Sequence, residues 1–512
     1  MISWIIGPRI PCEMSTAKKI LSNTVTQVIG RAIMAVVSIG ILKSVSGFLS
    51  VEGYGQYTAV YEFLAFFGIA ADFGLFTIGV REMSKGERDR NFISGNIFGM
   101  RMVTALVTMG LATIAAFLIP SYQGTYIPVG IAIASLSVFL TILQGTISSV
   151  LQVELKMQHA TVGLVLGKVV SFGWMLATVY VFYTGGPTQA AFNQLMIAGL
   201  IGNLLAFVYT YRYAARYAAL RTTYDRAYWK EIFVGAFPYG IALVLNMIYF
   251  RIDSLMILMM KGTHELGYYG PSMRMLEILN VIPVYFMNSV LPVLSRSLKE
   301  GGEKVQRILQ LAMNFLYMAA LPMAIGLYLL AYPIIFLTTH PEFLSRLDEG
   351  IYGSDIALQI LAIAMAISFN SSLYNYSLVA LGKQSKLLWV NGGGAVFNIL
   401  VNLWAIPQWG FIGAAWATVA TEVFIMLVAG TLARRYLKYQ IDWATMAKTT
   451  LAAAVMGLVV YLLKDPSYEL WGLQNLNVLL LAFLGAVLYA GLLYVLGAIP
   501  EEFRKKMGEK LA

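Results

Sequence analysis

Gly55-Gln-Tyr57 and Gly267-Tyr-Tyr269 match one another at an offset of 212, and each opens a long apolar run that ends in a basic loop. That loop is Arg81-Glu-Met-Ser-Lys85 in the first case and Arg296-Ser-Leu-Lys299 in the second. Two more pairs continue the correspondence: Lys156-Met-Gln158 with Gly382-Lys-Gln384 at an offset of 226, and Arg216-Tyr217 with Arg435-Tyr436 at 219. An offset that drifts so little marks an internal repeat with small loop insertions. The predicted unit is six spans, used twice. An even unit keeps its orientation, so the halves are parallel repeats about an axis along the membrane normal, and two such lobes enclose a central cavity.

The rest of the chain agrees with this reading. Of its 512 residues, 59% are apolar and 12% charged, with a mean hydropathy of +0.71. A soluble domain carries about twice that share of charge, so composition excludes a cytosolic enzyme, a disordered chain and a disulfide scaffold. A helix needs about 20 mostly apolar residues to cross the hydrocarbon core. Fourteen segments qualify, near 20–48, 54–80, 97–119, 126–151, 160–183, 190–210, 233–259, 266–294, 306–331, 356–380, 387–406, 411–432, 443–463 and 475–498. The expected fold is an all-α polytopic membrane protein: two six-helix lobes around a cavity, plus two C-terminal helices. Residues 1–18 form an N-terminal segment, 19–218 the first lobe (spans 1–6), and 219–440 the second (spans 7–12). Spans 13 and 14 occupy 441–499, and 500–512 form a basic tail.

Charge orients these spans. Of 36 Lys and Arg, 28 fall on the side that holds the N-terminus, and four (Lys43, Lys261, Arg346 and Lys464) on the other. The remaining four, Arg31, Lys168, Arg251 and Arg274, lie within spans. Loops that face the cytoplasm collect Lys and Arg, so both termini are expected on the cytoplasmic side of the plasma (inner) membrane. The same rule accounts for the net charge of +10 without a nucleic-acid partner. The single cysteine, Cys12, forms no intrachain disulfide. The N-terminal run, broken by Pro8 and Pro11, lacks the form of a signal peptide, and Met14-Ser-Thr-Ala-Lys-Lys19 reads like a natural start, which would make 1–13 an extension.

Several stretches resemble one family. Val51-Glu-Gly-Tyr-Gly-Gln-Tyr57, followed by a long span and Val80-Arg-Glu82, is similar to the second helix of oligosaccharide flippases, the O-antigen and teichoic-acid exporters of the polysaccharide transport family. Tyr249-Phe-Arg-Ile-Asp253, Leu266-Gly-Tyr-Tyr269 and Val290-Leu-Pro-Val-Leu-Ser-Arg296 resemble the start of that family's second lobe. The resemblance extends over roughly residues 18–440. It implies movement of a polyprenyl-pyrophosphate-linked oligosaccharide from the inner to the outer leaflet, without nucleotide hydrolysis or a cofactor, by a monomer among membrane lipids. The superfamily also includes cation-coupled multidrug antiporters and the lipid II flippase, and these stay open as alternatives. A membrane-embedded glycan-transferring enzyme is a third class.

Charge at membrane depth costs about 2.5–3.5 kcal/mol per residue on insertion scales, so each case is a candidate for function. A guanidinium fork suits a diphosphate. Arg31, Arg251 and Arg274 are therefore expected to line the cavity and hold the pyrophosphate or anionic sugars; the competing reading gives Arg251 and Asp253 a purely local structural role and has Arg274 merely neutralise an acid. Glu62 aligns with Arg274 at the offset of 212, so the two are expected to meet between lobes and gate the cavity. Asn203 aligns with Glu422 at 219. Glu62, Asp253, Asn203 and Glu422 are the candidates for gating or for a coupling ion. Asn391, Asn398 and Asn402 share one helical face and, with Asn370, Ser371, Ser372 and Asn375, predict an amide- and hydroxyl-rich wall suited to sugars. Lys168 is placed where it could snorkel to the inner surface, and it is assigned no role. Gly163-x3-Gly167 and Gly392-Gly-Gly394 read as helix-packing sites. His159, His264 and His340 lack metal-ligand spacing, and no phosphate-loop or nucleophile-elbow pattern occurs.

Overall fold

The computed structural model describes residues 16–218, 221–300, 303–470 and 477–498. The segment before residue 16, with Cys12, and the tail 500–512 lie outside the described residues. Within them regular structure is helical, apart from one isolated bridge between Arg346 and Ile351 in a loop. Eleven helical stretches are long and apolar enough to cross a membrane. Two of these, Thr26–Lys85 and Gln384–Arg434, each hold two expected spans, and helix Arg226–Lys261 supplies the seventh. All fourteen expected segments are thus helices among the described residues.

The breaks between helices explain the architecture. Spans 1 and 2 run from Thr16 to Asp72 with a single non-helical residue, Ser50 (φ 63°, ψ 178°). Spans 7 and 8 meet at Gly262 (φ 87°, ψ −170°). These two turns are related by the same offset of 212, so the repeat is one of backbone conformation as well as sequence. Positive φ is easy for glycine and strained for serine. Span 8 is split into Thr263–Leu279 and Val281–Glu300, because Pro283 has no N–H for the Leu279 carbonyl and its ring crowds that oxygen. Span 2 breaks at Phe73 (φ 40°) and Gly74 (φ 81°) before continuing as Leu75–Lys85. Spans 11 and 12 share Gln384–Arg434 with a turn at Gly410 (φ 56°, ψ −137°).

The lobes meet away from the basic loops. A Cβ on Gly55 would fall on the Thr263 carbonyl, and one on Gly267 would fall on the Val51 carbonyl. Val51 and Thr263 are themselves equivalent at the offset of 212, so this contact is reciprocal about the repeat axis. Lys43 of span 1 donates to the carbonyls of Phe336 (3.0 Å) and Thr339 beyond span 9, and Tyr54 packs edge-on against Phe343. One apolar core joins both lobes at this level, with Val45, Leu64 and Ile131 beside Ile257, Leu266 and Leu361. Toward the basic face one core, around Ile97 and Ile147, joins the first lobe to Tyr228, Ile232 and Ala236 at the start of span 7, and a second, around Leu294 and Leu309, lies within the second lobe.

Spans 13 and 14 attach to span 9. Met456, Val460 and Leu481 cluster with Leu330, and the Tyr489 hydroxyl donates to the Met318 carbonyl at 2.8 Å. Asp442 caps span 13 by accepting from Thr445 N (3.0 Å) and Oγ1 (2.7 Å), and it accepts from Asn314 Nδ2 of span 9 (3.3 Å). Burial alone would raise its pKa, but these hydrogen bonds and Lys448 hold it below the usual carboxylate range. Its contribution is present above the unfolded value of about 3.9 and lost as pH falls through the lower folded value.

Alanine substitution tests the reciprocal contact. Gly55→Ala and Gly267→Ala each add a methyl where a carbonyl already sits, an overpacking worth about 1–3 kcal/mol. Both variants are expected to melt below the wild type in detergent, while Gly47→Ala, whose added Cβ meets nothing within 4 Å, is expected to melt no lower. Gly55→Ala melting as high as Gly47→Ala would remove the contact.

Candidate functional site

Two cavities lie between the lobes, of about 420 Å³ and 620 Å³. Spans 1, 2, 4, 5 and 6 wall the smaller, first-lobe chamber, which spans 7 and 8 close off. Spans 7, 8, 10, 11 and 12 wall the larger, second-lobe chamber, joined by Gln27, Arg31 and Ile69. Arg251, Met273 and Glu277 border both. The three arginines expected at a cavity, Arg31, Arg251 and Arg274, therefore all reach one.

A chain of charge runs along the shared wall. Arg251 donates through Nη1 to Glu62 of span 2 (2.7 Å) and through Nη2 to Glu277 of span 8 (3.1 Å). Arg274 donates to the other oxygen of Glu277 at 2.7 Å. An ion pair does cross between lobes here, but the expected Glu62–Arg274 pairing is replaced by Glu62–Arg251. Glu62 is 14% exposed and Arg251 30%. Glu62 Oε2 is buried with no hydrogen-bond partner among the described residues. Asp72 is paired as well: it accepts from the buried Arg101, which also donates to Thr146 at 3.1 Å.

The first-lobe chamber holds groups the sequence reading passed over. Tyr54, Tyr57 and Tyr61 line it together with Thr58 and Glu62. Steps of three and four residues put them on one face of span 2, and successive rings lie 5.9 and 5.0 Å apart. That spacing was the signal available for finding them. Lys168 lines this chamber instead of snorkelling to the surface. Asn203 is here too, donating to Ser137 Oγ at 2.7 Å.

In the second-lobe chamber Asp253 has no part in the Arg251 pairs. Two residues along a helix differ by about 200°, so the two side chains leave span 7 in opposite directions. Asp253 is 3% exposed and accepts from Asn402 Nδ2 (2.6 Å), Thr418 Oγ1 (2.6 Å) and Tyr269 Oη (3.3 Å). Asn402 also donates to Asn398 Oδ1 at 2.9 Å, and Asn398 donates to Thr421 Oγ1 at 3.2 Å. Asn402 Oδ1 is buried with no partner among the described residues. Asn398 and Glu422 line the chamber, so Asn203 and Glu422, aligned at 219, occupy corresponding chambers. Arg31 lies over the Tyr285 ring, 5.1 Å from its centroid.

The expected sugar wall is not assembled as drawn. Asn370 donates to Ala366 of its own helix at 2.8 Å and lines neither chamber. Asn391 sits two turns nearer the basic face than Asn398 and also lines neither. Ser371 and Ser372 bond back to the Ser368 carbonyl.

Aromatic contacts occupy the basic side of the chambers. Phe73 stacks with Phe233 at 5.8 Å, and a Cβ on Gly240 would fall on its ring. Tyr285, equivalent to Phe73 at the offset of 212, meets Arg31. The repeat thus places one aromatic at each of two seams, against span 7 in one case and span 1 in the other.

The sequence profile described as polysaccharide biosynthesis protein matches residues 16–298. The chain belongs to that family. A second profile, MatE, matches residues 238–404 within the second lobe. An uncharacterised membrane protein of Methanocaldococcus jannaschii is 23% identical over 333 residues, 64% of this chain and 61% of the relative. A probable flippase of Haloferax volcanii, AglR, is 22% identical over 280 residues, 52% of this chain and 54% of the relative. The matches thus span about half to three fifths of these relatives' lengths. Among solved structures, the lipid II flippase MurJ in an inward closed conformation superposes with a TM-score of 0.72 at 15% identity, covering 93% of this chain and 99% of that one. That likeness fixes the fold of this member of the polysaccharide biosynthesis protein family: two helical lobes and two further helices.

In this family member the Arg251 pairs admit a direct test. Arg251→Gln leaves Glu62 and Glu277 without their shared cation and is expected to lower the melting temperature in detergent. Removing one partner of a buried pair costs up to about 3–5 kcal/mol, reduced here by partial exposure. The Arg251→Gln/Glu62→Gln double variant is expected to melt higher than Arg251→Gln alone. Additive losses would deny the contact.

Proposed function

We propose that this protein is a flippase that moves a polyprenyl-diphosphate-linked oligosaccharide from the leaflet on its basic face to the opposite leaflet by alternating access. The observation that carries the reading is the first-lobe chamber, where Lys168, Arg251 and Arg274 face Glu62 and Glu277 beside three tyrosines. Guanidinium and ammonium groups hold a diphosphate through charge-assisted hydrogen bonds. Tyrosine rings offer an apolar face with a hydroxyl tip, and Asn203 and Ser137 supply amide and hydroxyl partners for sugars. An anion arriving at Arg251 competes with Glu62 for the guanidinium, so binding bears on an ion pair that ties the lobes together at the chamber wall. Family membership and a relative named a probable flippase support a transporter over a glycan-transferring enzyme. The bias of basic loops to one side supports a plasma-membrane protein with both termini cytoplasmic.

Cation coupling falls to the second-lobe chamber in this reading. Asp253 with its amide and hydroxyl partners offers a proton or a small cation a set of oxygen ligands, and Glu422 lies in the same chamber. These carboxylates and the MatE match are also what favours the second reading, a cation-coupled multidrug antiporter. Lipid II shares the diphosphate and differs in its head group.

Proteoliposomes separate these readings. The wild type is expected to flip a fluorescent polyprenyl-diphosphate oligosaccharide, and Arg274→Ala to slow the initial rate by about tenfold or more, the value of one charged hydrogen bond. Flipping of lipid II alone would move the cargo to that class. Export of a cationic dye with no lipid flipping would replace the proposal by the antiporter. Undiminished flipping by Arg274→Ala would remove that arginine from the site.

A further inference from the structure

We infer that Lys168 is the first anchor for the anionic part of the cargo. The inference rests on the flippase reading and assigns the head group to one chamber and one side chain. Among the charged groups of the first-lobe chamber, Arg251 is held between Glu62 and Glu277, and Arg274 is bonded to Glu277. Lys168 makes no hydrogen bond or ion pair with any described residue. With both acids ionised, three cations face two carboxylates, and Lys168 is the cation without a partner among the described residues.

Its position is built into the fold. Spans 5 and 6 pack backbone to backbone, since a Cβ on Gly167 would fall on the Gly202 carbonyl and one on Gly202 would fall on the Gly167 carbonyl. This close approach sets the rotation of span 5. Leu164, Lys168, Ser171 and Met175, spaced four, three and four apart, then all face the chamber. The repeat offers no counterpart, because the equivalent position at the offset of 226 is Gly394. An ammonium at bilayer depth with no counter-charge is costly, and an incoming anion removes that cost without breaking an existing pair. Arg251 and Arg274 must first give up a carboxylate. Capture at Lys168 therefore precedes any rearrangement of the arginines. The ligand chemistry is a compact anion at the head of a glycan lipid, either its diphosphate or the carboxylate of an acidic sugar.

Equilibrium binding to the full-length protein in nanodiscs tests this with three labelled probes: a short-chain polyprenyl-diphosphate N-acetylglucosamine, the same lipid with an uncharged linker, and a water-soluble acidic trisaccharide. Lys168→Gln is expected to weaken the diphosphate lipid by about 10- to 100-fold and to leave the uncharged lipid unchanged. Lys168→Arg is expected to restore most of the affinity. If the acidic trisaccharide loses affinity and the diphosphate lipid does not, the anchor stands and the sugar is its ligand. Equal binding of every anion by Lys168→Gln and wild type overturns the inference and leaves the flippase reading intact. Parallel loss of charged and uncharged lipids, unrescued by Lys168→Arg, assigns Lys168 to structure and overturns it as well. A wild type that binds none of the three overturns both.

Discussion

Charge buried at bilayer depth has to be matched by charge or by water, and Arg251 is where this chain meets that constraint. One guanidinium answers a carboxylate from each lobe, Glu62 and Glu277, at 2.7 and 3.1 Å. It stands on the wall shared by two chambers, so neither chamber changes its charge without affecting the other. The remaining architecture serves that placement. On one side the lobes are locked by glycines that let carbonyls approach; on the basic side they are met by aromatic rings. Between the two lies the hollow that the ionised groups face.

The internal repeat keeps what builds the frame and changes what faces the hollow. Ser50 and Gly262 make the same turn, and Gly55 and Gly267 make the same contact. Both pairs lie close to the axis that relates the lobes. Farther in, equivalent positions differ in chemistry. Glu62 answers to Arg274, Asn203 to Glu422, and Lys168 to Gly394. Phe73 and Tyr285 are both aromatic, yet one rests on Gly240 and the other on Arg31. Two parallel lobes thus supply two chambers of unlike charge.

The same distinction explains what the sequence could tell. Spans, lobes and the repeat were legible because an apolar run of about 20 residues and a fixed offset are strong signals. The partner of Glu62 was not. Alignment identifies equivalent residues, and residues related by a twofold axis touch only beside it, as Gly55 and Gly267 do. Glu62 and Arg274 lie about two turns further along their helices and take other partners. Lys168 was missed because a bundle helix is apolar on every side, so hydropathy does not say which face meets the cavity. The Gly163 and Gly167 packing that fixes this rotation was readable, but its consequence for the neighbouring residue needed the position of span 6. Asn370 and Asn391 failed for the opposite reason. Their polarity was read correctly, and its direction was set by an own-helix carbonyl and by helix depth.

The division of charge bears on how the proposed cycle is driven. The first-lobe chamber has more cations than carboxylates, and the second has more carboxylates than cations, with Asp253, Glu277 and Glu422 facing Arg31 and Arg251. In the proposed cycle the cargo anion enters the first and the coupling cation the second. The two need not touch to influence one another. An anion that draws Arg251 away from Glu62 weakens the tie between lobes. It also leaves Glu277 with Arg274 alone, one cation fewer than before, which favours a cation nearby. By linkage, whatever affinity the anion lends the cation, the cation returns to the anion. A single arginine between unlike chambers is therefore sufficient to couple two ligands of opposite sign, and a second copy of the first chamber, with its own surplus cation, would not be.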